Sequence, residues 1–300
     1  MGTAERLTVG TAGRELDVLV EGPEDGAALL FHSGTPSAAV RMPDLSTAVV
    51  SRGLRLVAWS RPGYAGSTPQ PGRSVANVVE DAEAILDELG AQHCVALGWS
   101  GGGPHALACA ALMKDRCLAA ATIAGVAPYD PRSLDWTAGM GPENIEEFGA
   151  TLEGEATLRP ILERWASELA TVTGEQVAAS LGGLASDIDK AALTGEFAEV
   201  MAESFRASIS TGIEGWLEDD FAFVRDWGFE LSMIRTPVAI WQGAEDRMVP
   251  YAHGKWLAAH VSGAQSRLFD DQGHLSLVLK IDRIVEDLVE LAGLRQPAAS

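Results

Sequence analysis

The residues best suited to chemistry in this 300-residue sequence lie in the stretch Val-Ala-Leu-Gly-Trp-Ser-Gly-Gly-Gly-Pro-His, at residues 95–105. Its apolar beginning predicts a buried strand, and the residues after Gly102 favour a helix. A serine on so tight a turn takes a strained backbone, which small residues two positions before and after it relieve. The spacing Gly98-x-Ser100-x-Gly102 therefore predicts a nucleophile elbow that exposes the Ser100 hydroxyl. With 32 glycines in the chain, a glycine-rich turn carrying an incidental serine is the alternative.

A serine nucleophile needs a base within hydrogen-bond reach, because an alcohol reacts poorly at neutral pH. Six histidines compete for this role. His274 lies in a loop just after a predicted strand near the carboxyl terminus, and parallel sheets carry their active sites at the carboxyl ends of strands. His274 is therefore the predicted base. The others precede the elbow strand, lie on predicted helices, or end a strand before Ser100: His32, His93, His105, His253 and His260.

The base in turn needs a carboxylate that holds its tautomer and stabilises its cation. Asp246 follows the predicted strand that ends in Ala239-Ile240-Trp241, and Glu245 beside it is the nearest competitor. The order Ser, Asp, His along the chain matches one of the known serine hydrolase arrangements. Weaker acid candidates are Asp130, Asp219 and Asp220.

Two backbone N–H groups are needed to stabilise an oxyanion. The first is that of Gly101, at the start of the helix after the nucleophile. The second is expected from the loop His32-Ser33-Gly34-Thr35-Pro36, where Thr35 is the predicted donor because proline has no N–H. An ordinary β-turn is the alternative interpretation of this loop.

Alternating strands and helices predict an α/β fold with a mostly parallel central sheet flanked by helices. An inserted α-helical cap, residues 131–232, is predicted to separate the core segments 1–130 and 233–300, and residues 295–300 are a predicted frayed tail. The cap holds 20 acidic and six basic side chains, which predicts a solvated acidic exterior. Its four tryptophans are predicted packing residues, of which one or two line a pocket: Trp136, Trp165, Trp216 and Trp227. Predicted strands lie at 5–10, 14–21, 27–31, 54–59, 95–97, 117–123, 236–241 and 266–269, and predicted helices at 74–89, after Gly102, 252–260 and 277–291.

The formal charge of −20 argues against nucleic acid and anionic membranes as partners, since both need a basic face. No stretch has the spacing of a metal site or of a nucleotide-binding loop, so neither a metal nor a cofactor is expected. An odd number of cysteines without paired spacing, and no apolar leader or membrane span, predict a cytoplasmic protein. The expected partner is a small-molecule substrate, and the oligomeric state stays open.

These motifs resemble those of the α/β-hydrolase superfamily with a helical cap, and are most similar to its small-molecule esterases, lactonases and proline-iminopeptidase-like members. The resemblance covers nearly all of residues 25–125 and 233–292. It departs from the family at Ser60, where an aspartate is usual, and at Ala65, where a glycine is usual. The matching motifs are Gly98-Trp99-Ser100-Gly101-Gly102, Gly243-Ala244-Glu245-Asp246, Gly273-His274, His32-Ser33-Gly34-Thr35-Pro36 and Ser60-Arg61-Pro62-Gly63-Tyr64-Ala65.

The resemblance implies acyl-enzyme chemistry, because family members that act on halides or epoxides carry aspartate where this chain has Ser100. The expected function is hydrolysis of a carboxylic ester or lactone of a small, neutral to cationic, moderately apolar molecule. Alternatives are an aminopeptidase-type amide hydrolase, a C–C hydrolase or perhydrolase with the same three residues, and a ligand-binding protein without catalysis.

Overall fold

The computed structural model describes residues 4–130 and 132–294, so the predicted frayed tail lies outside the described residues. Within them, eight strands form one sheet in the order β1-β2-β4-β3-β5-β6-β7-β8. The strands are β1 (Glu5–Thr11), β2 (Arg14–Glu21), β3 (Ala28–His32), β4 (Arg55–Trp59), β5 (Cys94–Trp99), β6 (Cys117–Ile123), β7 (Val238–Gly243) and β8 (Gln265–Phe269).

The sheet is antiparallel at one edge and parallel elsewhere. β1 and β2 form an antiparallel hairpin, and β2 also pairs antiparallel with β4. The pairs from β4 and β3 through to β7 and β8 are parallel. The residues of β3, β5 and β7 are all buried, which explains their continuous apolar runs. This arrangement brings the carboxyl ends of β3, β5, β7 and β8 to one edge.

Helices cover both faces of the sheet. Ile85 and Leu107 pack against one face, and Val49 and Ile284 against the other. In the described residues, no helix is both long and apolar enough to cross a membrane. The helices are α1 (Pro43–Val50), α2 (Val78–Glu88), α3 (Gly103–Leu112), α4 (Pro142–Glu153), α5 (Glu155–Leu169), α6 (Gly174–Ser180), α7 (Asp187–Ala192), α8 (Gly195–Ser208), α9 (Glu214–Val224), α10 (Tyr251–His260) and α11 (Ile281–Leu291).

The segment between β6 and β7 contains α4 to α9 and, among its described residues, no strand. We call residues 142–224 the helical segment. Leu158 and Leu162 of α5 are fully buried and pack with Trp216 and Leu217 of α9, so this segment has an apolar cluster of its own. Tyr64 of the core joins that cluster and ties the segment to the sheet. The division of the chain into a core and a separate cap at residues 131 and 232 stays a prediction.

Candidate active site

Ser100 lies on the turn between β5 and α3. Its φ is 55°, in the left-handed region that residues other than glycine rarely adopt. A Cβ atom on Gly98 would collide with the Gly102 carbonyl group, and one on Gly102 with the His32 carbonyl group. The turn therefore requires glycine on both sides of Ser100, and it holds the serine at the carboxyl end of β5.

His274 lies in the loop after β8, and its ring is buried. Its Nδ1 lies 2.9 Å from Asp246 Oδ2, so this nitrogen donates its proton to the carboxylate. In the neutral ring, Nε2 is then the acceptor. Ser100 and His274 line the same cavity, although no hydrogen bond joins them in the described part of the chain. Such bonds are often long before substrate binds.

Asp246 is fixed by hydrogen bonds to both of its carboxylate oxygens. The N–H groups of Met248 and Val249 donate to Oδ1 at 2.9 and 2.8 Å, and Gln242 Nε2 donates to Oδ2 at 3.0 Å. The neighbouring Glu245 has an exposed side chain that makes no hydrogen bond within residues 4–130 and 132–294. The structure therefore brings Asp246, and not Glu245, to the histidine.

The weaker acid candidates lie elsewhere. Asp130 forms an ion pair with Arg132 near the surface. Asp219 and Asp220 lie on α9, in the helical segment. None of the three is hydrogen-bonded to His274 in the part of the chain that the structure describes.

The environment of His274 favours its protonated form. Burial lowers the pKa of this ring, but the charge of Asp246, the hydrogen bond to it and the charge of Asp189 together raise the pKa above its ordinary value. A carboxylate that stabilises the cation makes the neutral ring a stronger base.

The other five histidines are unsuited to act on Ser100. Burial lowers the pKa of His105 to about 3 and that of His253 to about 4. Burial also lowers the pKa of His32 well below its usual value. His93 and His260 are exposed. None of the five lines the cavity that holds Ser100.

The two predicted oxyanion donors are neighbours. A Cβ atom on Gly101 would collide with Thr35 Oγ1, and both residues line the cavity. The Thr35 N–H donates to no protein group in the described residues. Arg61 holds this loop in place, because its guanidinium donates to the Ser33 and Gly34 carbonyls at 2.6 and 2.8 Å. The role of both N–H groups stays a prediction.

The helical segment supports the predicted oxyanion loop, residues 32–36, through a buried carboxylate on α9. Asp219 Oδ2 accepts hydrogen bonds from Thr35 Oγ1 at 2.8 Å and from the Tyr64 hydroxyl at 2.9 Å. Arg61 forms an ion pair with Oδ2, and Arg73 forms one with Oδ1. Burial raises the pKa of Asp219, but the charges of the two arginines outweigh it and hold the pKa well below its usual range. Sequence reasoning considered Asp219 only as a catalytic acid.

A second buried carboxylate of the helical segment holds the loop that contains His274, which we call the histidine loop. Asp189, on α7, accepts hydrogen bonds from the backbone N–H of His274 at 3.0 Å, of Leu275 at 2.8 Å and of Ser276 at 2.9 Å. Ser186 Oγ also donates to this carboxylate, at 3.0 Å. No sequence motif indicated this contact.

Four acidic residues of the helical segment do not belong to the solvated acidic exterior that the sequence predicts for residues 131–232. Asp189 and Asp219 are completely buried, and Glu147 and Asp220 are also buried. The prediction of a solvated exterior is wrong for these four carboxylates. Asp189 and Asp219 contact the loops of His274 and Thr35, and Glu147 and Asp220 line the cavity.

The cavity has a volume of about 370 Å³. Ser100, Thr35 and His274 are in its wall, and the helical segment supplies much of the remainder. Trp165 and Trp216 line it with ring centroids 6.0 Å apart. Trp136 and Trp227 lie instead in the apolar core. Two of the four predicted tryptophans thus reach the cavity.

Known proteins match this chain over most of its length. A family model described as alpha/beta hydrolase fold matches residues 28–280. An uncharacterized hydrolase, YcgS, of Bacillus subtilis (strain 168) is 25% identical over 235 residues, which are 76% of this chain and 78% of that protein. A pimeloyl-[acyl-carrier protein] methyl ester esterase of Aromatoleum aromaticum is 26% identical, over 76% of this chain and 83% of its own. The solved enol-lactonase of Burkholderia xenovorans LB400 superposes with a TM-score of 0.64 at 18% identity, covering 96% of this chain and all of that one (100%).

Proposed function

Because the chain belongs to the α/β-hydrolase fold family, we propose that it is a serine hydrolase that cleaves a carboxylic ester or lactone of a small molecule. The observation that carries this proposal is the wall of the cavity. Ser100, whose backbone is left-handed, shares that wall with His274, and Nδ1 of His274 is hydrogen-bonded to the buried Asp246 carboxylate.

In the proposed acylation step, Ser100 Oγ attacks the carbonyl carbon of the substrate while His274 Nε2 takes the hydroxyl proton. The oxyanion accepts hydrogen bonds from the Thr35 and Gly101 N–H groups. The carbon–oxygen bond to the leaving alcohol then breaks, and the alkoxide takes the proton from His274. A water molecule, deprotonated by the same nitrogen, then attacks the acyl carbon. The bond from this carbon to Ser100 Oγ breaks, Oγ takes the proton back from His274, and the acid is released.

Asp246 acts in this scheme through His274. Its carboxylate keeps the Nδ1 proton in place, so that Nε2 faces Ser100 as an acceptor, and it stabilises the cation formed in each step. Since Oδ1 is held by two backbone N–H groups, the carboxylate cannot turn away from the ring without losing them.

Ester and lactone substrates are supported by the relatives, one of which is named a methyl ester esterase and another an enol-lactonase. A cavity of about 370 Å³ suits a small molecule. We further propose that the helical segment is a cap that selects the substrate, because it lines the cavity with Trp165 and Trp216. Three buried, unpaired cysteines agree with the proposed cytoplasmic location.

The test is a panel of small esters, lactones and aminoacyl amides, assayed with the wild-type protein and with Ser100→Ala. We expect turnover of at least one ester or lactone and a loss of about four to six orders of magnitude in kcat for Ser100→Ala, with an unchanged circular dichroism spectrum. Exposed Ser51→Ala is the control.

Isotopically labelled water then identifies the reaction. In ester hydrolysis, one labelled oxygen enters the acid product. Turnover of amides alone would favour the aminopeptidase alternative, and turnover of esters that survives in Ser100→Ala would refute the proposal.

A further inference from the structure

Two carboxyl groups meet at the wall of the cavity that the helical segment provides. Glu147 lies on α4 and Asp220 on α9; both side chains are buried, and both line the cavity. Neither carboxylate oxygen of Asp220 receives a hydrogen bond from a donor in the described residues. Glu147 accepts one hydrogen bond, from Trp216 Nε1 at 2.5 Å. Burying a charged carboxylate without a hydrogen-bond donor costs free energy, so a proton or a bound cation would stabilise this pair.

The nearby arginines form ion pairs with Asp219. Arg73 lies close enough to act on Asp220, but it forms an ion pair with Asp219 and donates to the Gly215 carbonyl. Arg61 is likewise bound to Asp219. The charge of Arg73 lowers the pKa of Asp220, but neither arginine donates a hydrogen bond to Glu147 or Asp220 in the described residues.

The lining of the cavity is rich in acidic side chains. Among the described residues, its lining includes four acidic side chains and no lysine or arginine. The acidic residues are Glu143, Glu147, Glu168 and Asp220. A cationic ligand is favoured in such a cavity, and a carboxylate-bearing ligand is disfavoured.

Burial shifts both carboxyl groups towards their protonated forms. Burial raises the pKa of Glu147, and burial together with the charge of Glu147 raises the pKa of Asp220 well above its usual range. The two carboxyl groups are close enough to form a hydrogen bond once one of them is protonated. An ammonium group offers the same hydrogen bonds with a full positive charge.

Aromatic rings complete the surroundings. Trp216 donates to Glu147 and also stacks on Trp165, and both indoles line the cavity. The face of an indole attracts a cation, most strongly where water is excluded. Carboxylates beside indole rings are a combination suited to a protonated amine.

We propose that Glu147 and Asp220 form an ammonium-binding subsite, which holds a primary or secondary amine of the substrate while Ser100 attacks its ester or lactone group. The assignment of the amine to a substrate rests on the proposed function, whereas the binding of an amine does not. The subsite accounts for two buried carboxyl groups in a cavity wall that, among the described residues, contains no lysine or arginine.

Binding is tested first without catalysis, by calorimetry with hexylammonium and with hexanol at neutral pH. We expect hexylammonium to bind the wild-type protein at least about tenfold more tightly than hexanol, a difference of about 1.4 kcal/mol. Asp220→Asn and Glu147→Gln should remove this preference. Glu146 directly precedes Glu147 on α4 and has an exposed side chain, so Glu146→Gln should keep the preference for hexylammonium. Equal binding of the two ligands by the wild type, or a preference that both variants retain, would overturn the subsite.

Kinetics then connects the subsite to the reaction. The substrates are p-nitrophenyl esters of ω-amino acids of increasing chain length, each beside the alkanoyl ester in which a methyl group replaces the ammonium group. For the best-fitting length we expect kcat/KM to favour the amino ester by about tenfold, and Asp220→Asn to lose that factor while it still cleaves the alkanoyl ester. Cleavage of the alkanoyl esters with no preference at any length would overturn the subsite alone. Cleavage of neither ester, with hexylammonium still bound, would overturn the proposed function alone.

Discussion

Asp189 offers a test of how the helical segment supports the candidate active site, because it contacts the backbone of the His274 loop and not the side chains of Ser100 or His274. Its carboxylate accepts three backbone N–H groups, of which that of His274 donates to Oδ2 and those of Leu275 and Ser276 to Oδ1. In Asp189→Asn, an NH₂ group replaces one oxygen without a change of size. If Oδ1 keeps its two donors, the NH₂ group takes the place of Oδ2, and the His274 N–H then faces a donor instead of an acceptor.

The expected loss of stability follows from these contacts. A buried N–H left without an acceptor costs about 1–3 kcal/mol, and the two remaining hydrogen bonds lose the assistance of a charge. We therefore expect Asp189→Asn to lower the free energy of unfolding by about 2–4 kcal/mol. A loop that shifts by a fraction of an ångström should also lower kcat/KM by about tenfold to a hundredfold.

The pH profile distinguishes positioning from a general loss of structure. The base must be neutral, so kcat/KM rises with pH through the pKa of His274. Burial lowers that pKa, but the charges of Asp246 and Asp189 raise it above the ordinary value of about 6.5. The wild-type inflection is therefore expected above about pH 6.5, and that of Asp189→Asn at a lower pH.

The assay combines denaturant unfolding with kcat/KM measured from pH 5 to 9 on the best ester of the panel. Asp187→Asn, an exposed carboxylate on the same helix, is the control and should change neither quantity. The reasoning would be refuted by an Asp189→Asn protein as stable as the wild type, or by one whose inflection stays at the wild-type pH.

Three further predictions concern other residues. Asp246→Asn should lower kcat by about 10⁴, as a wrong tautomer does in serine proteases, while Glu245→Gln should change it little; equal losses in steady-state assays would contradict the assignment. Asp219→Ala should cost about 3–5 kcal/mol in denaturant unfolding, because two buried arginines lose their carboxylate, and a loss below about 1 kcal/mol would show that water replaces it. Trp165→Ala should raise KM or change substrate preference, whereas Trp227→Phe, in the core, should affect only the melting temperature. If Trp227→Phe and not Trp165→Ala changes the kinetics in the ester panel, the substrate binds elsewhere.

The sequence predicts the parallel sheet well because its signals are local. The runs that form β3, β5, β6 and β7 are mostly apolar, and such runs mark strands buried on both faces. By contrast, α1 was not predicted. It has only eight residues, and its clearest signal is Pro43 at its first position.

The candidate site is predictable only where each residue follows a strand. Ser100, Asp246 and His274 lie within five residues of the carboxyl ends of β5, β7 and β8, so the topology of a parallel sheet places them at one edge. The family resemblance supports the same three positions. Their catalytic roles stay predictions.

The supporting carboxylates could not be predicted in this way. Asp189 lies 85 residues from His274 along the chain, and Asp219 lies 184 residues from Thr35. No periodicity or short motif relates residues at such distances. Their acidic type instead suggested a surface position, because aspartate is rarely buried unless it is paired.

Ala65 shows how a departure from a family motif can be accommodated. It takes a φ of 45°, the left-handed conformation for which the family's usual glycine is suited. The loop that contains it still presents Arg61 and Tyr64 to Asp219. The substitution therefore leaves the arrangement of the site intact.

The central claim is that Ser100 is an activated nucleophile. The most direct test is to react the folded protein with a fluorophosphonate probe and to locate the adduct by peptide mass spectrometry. We predict a single adduct on the peptide that contains Ser100 in the wild-type protein and none in Ser100→Ala. An adduct on another residue, or a wild-type protein that does not react, would contradict the claim.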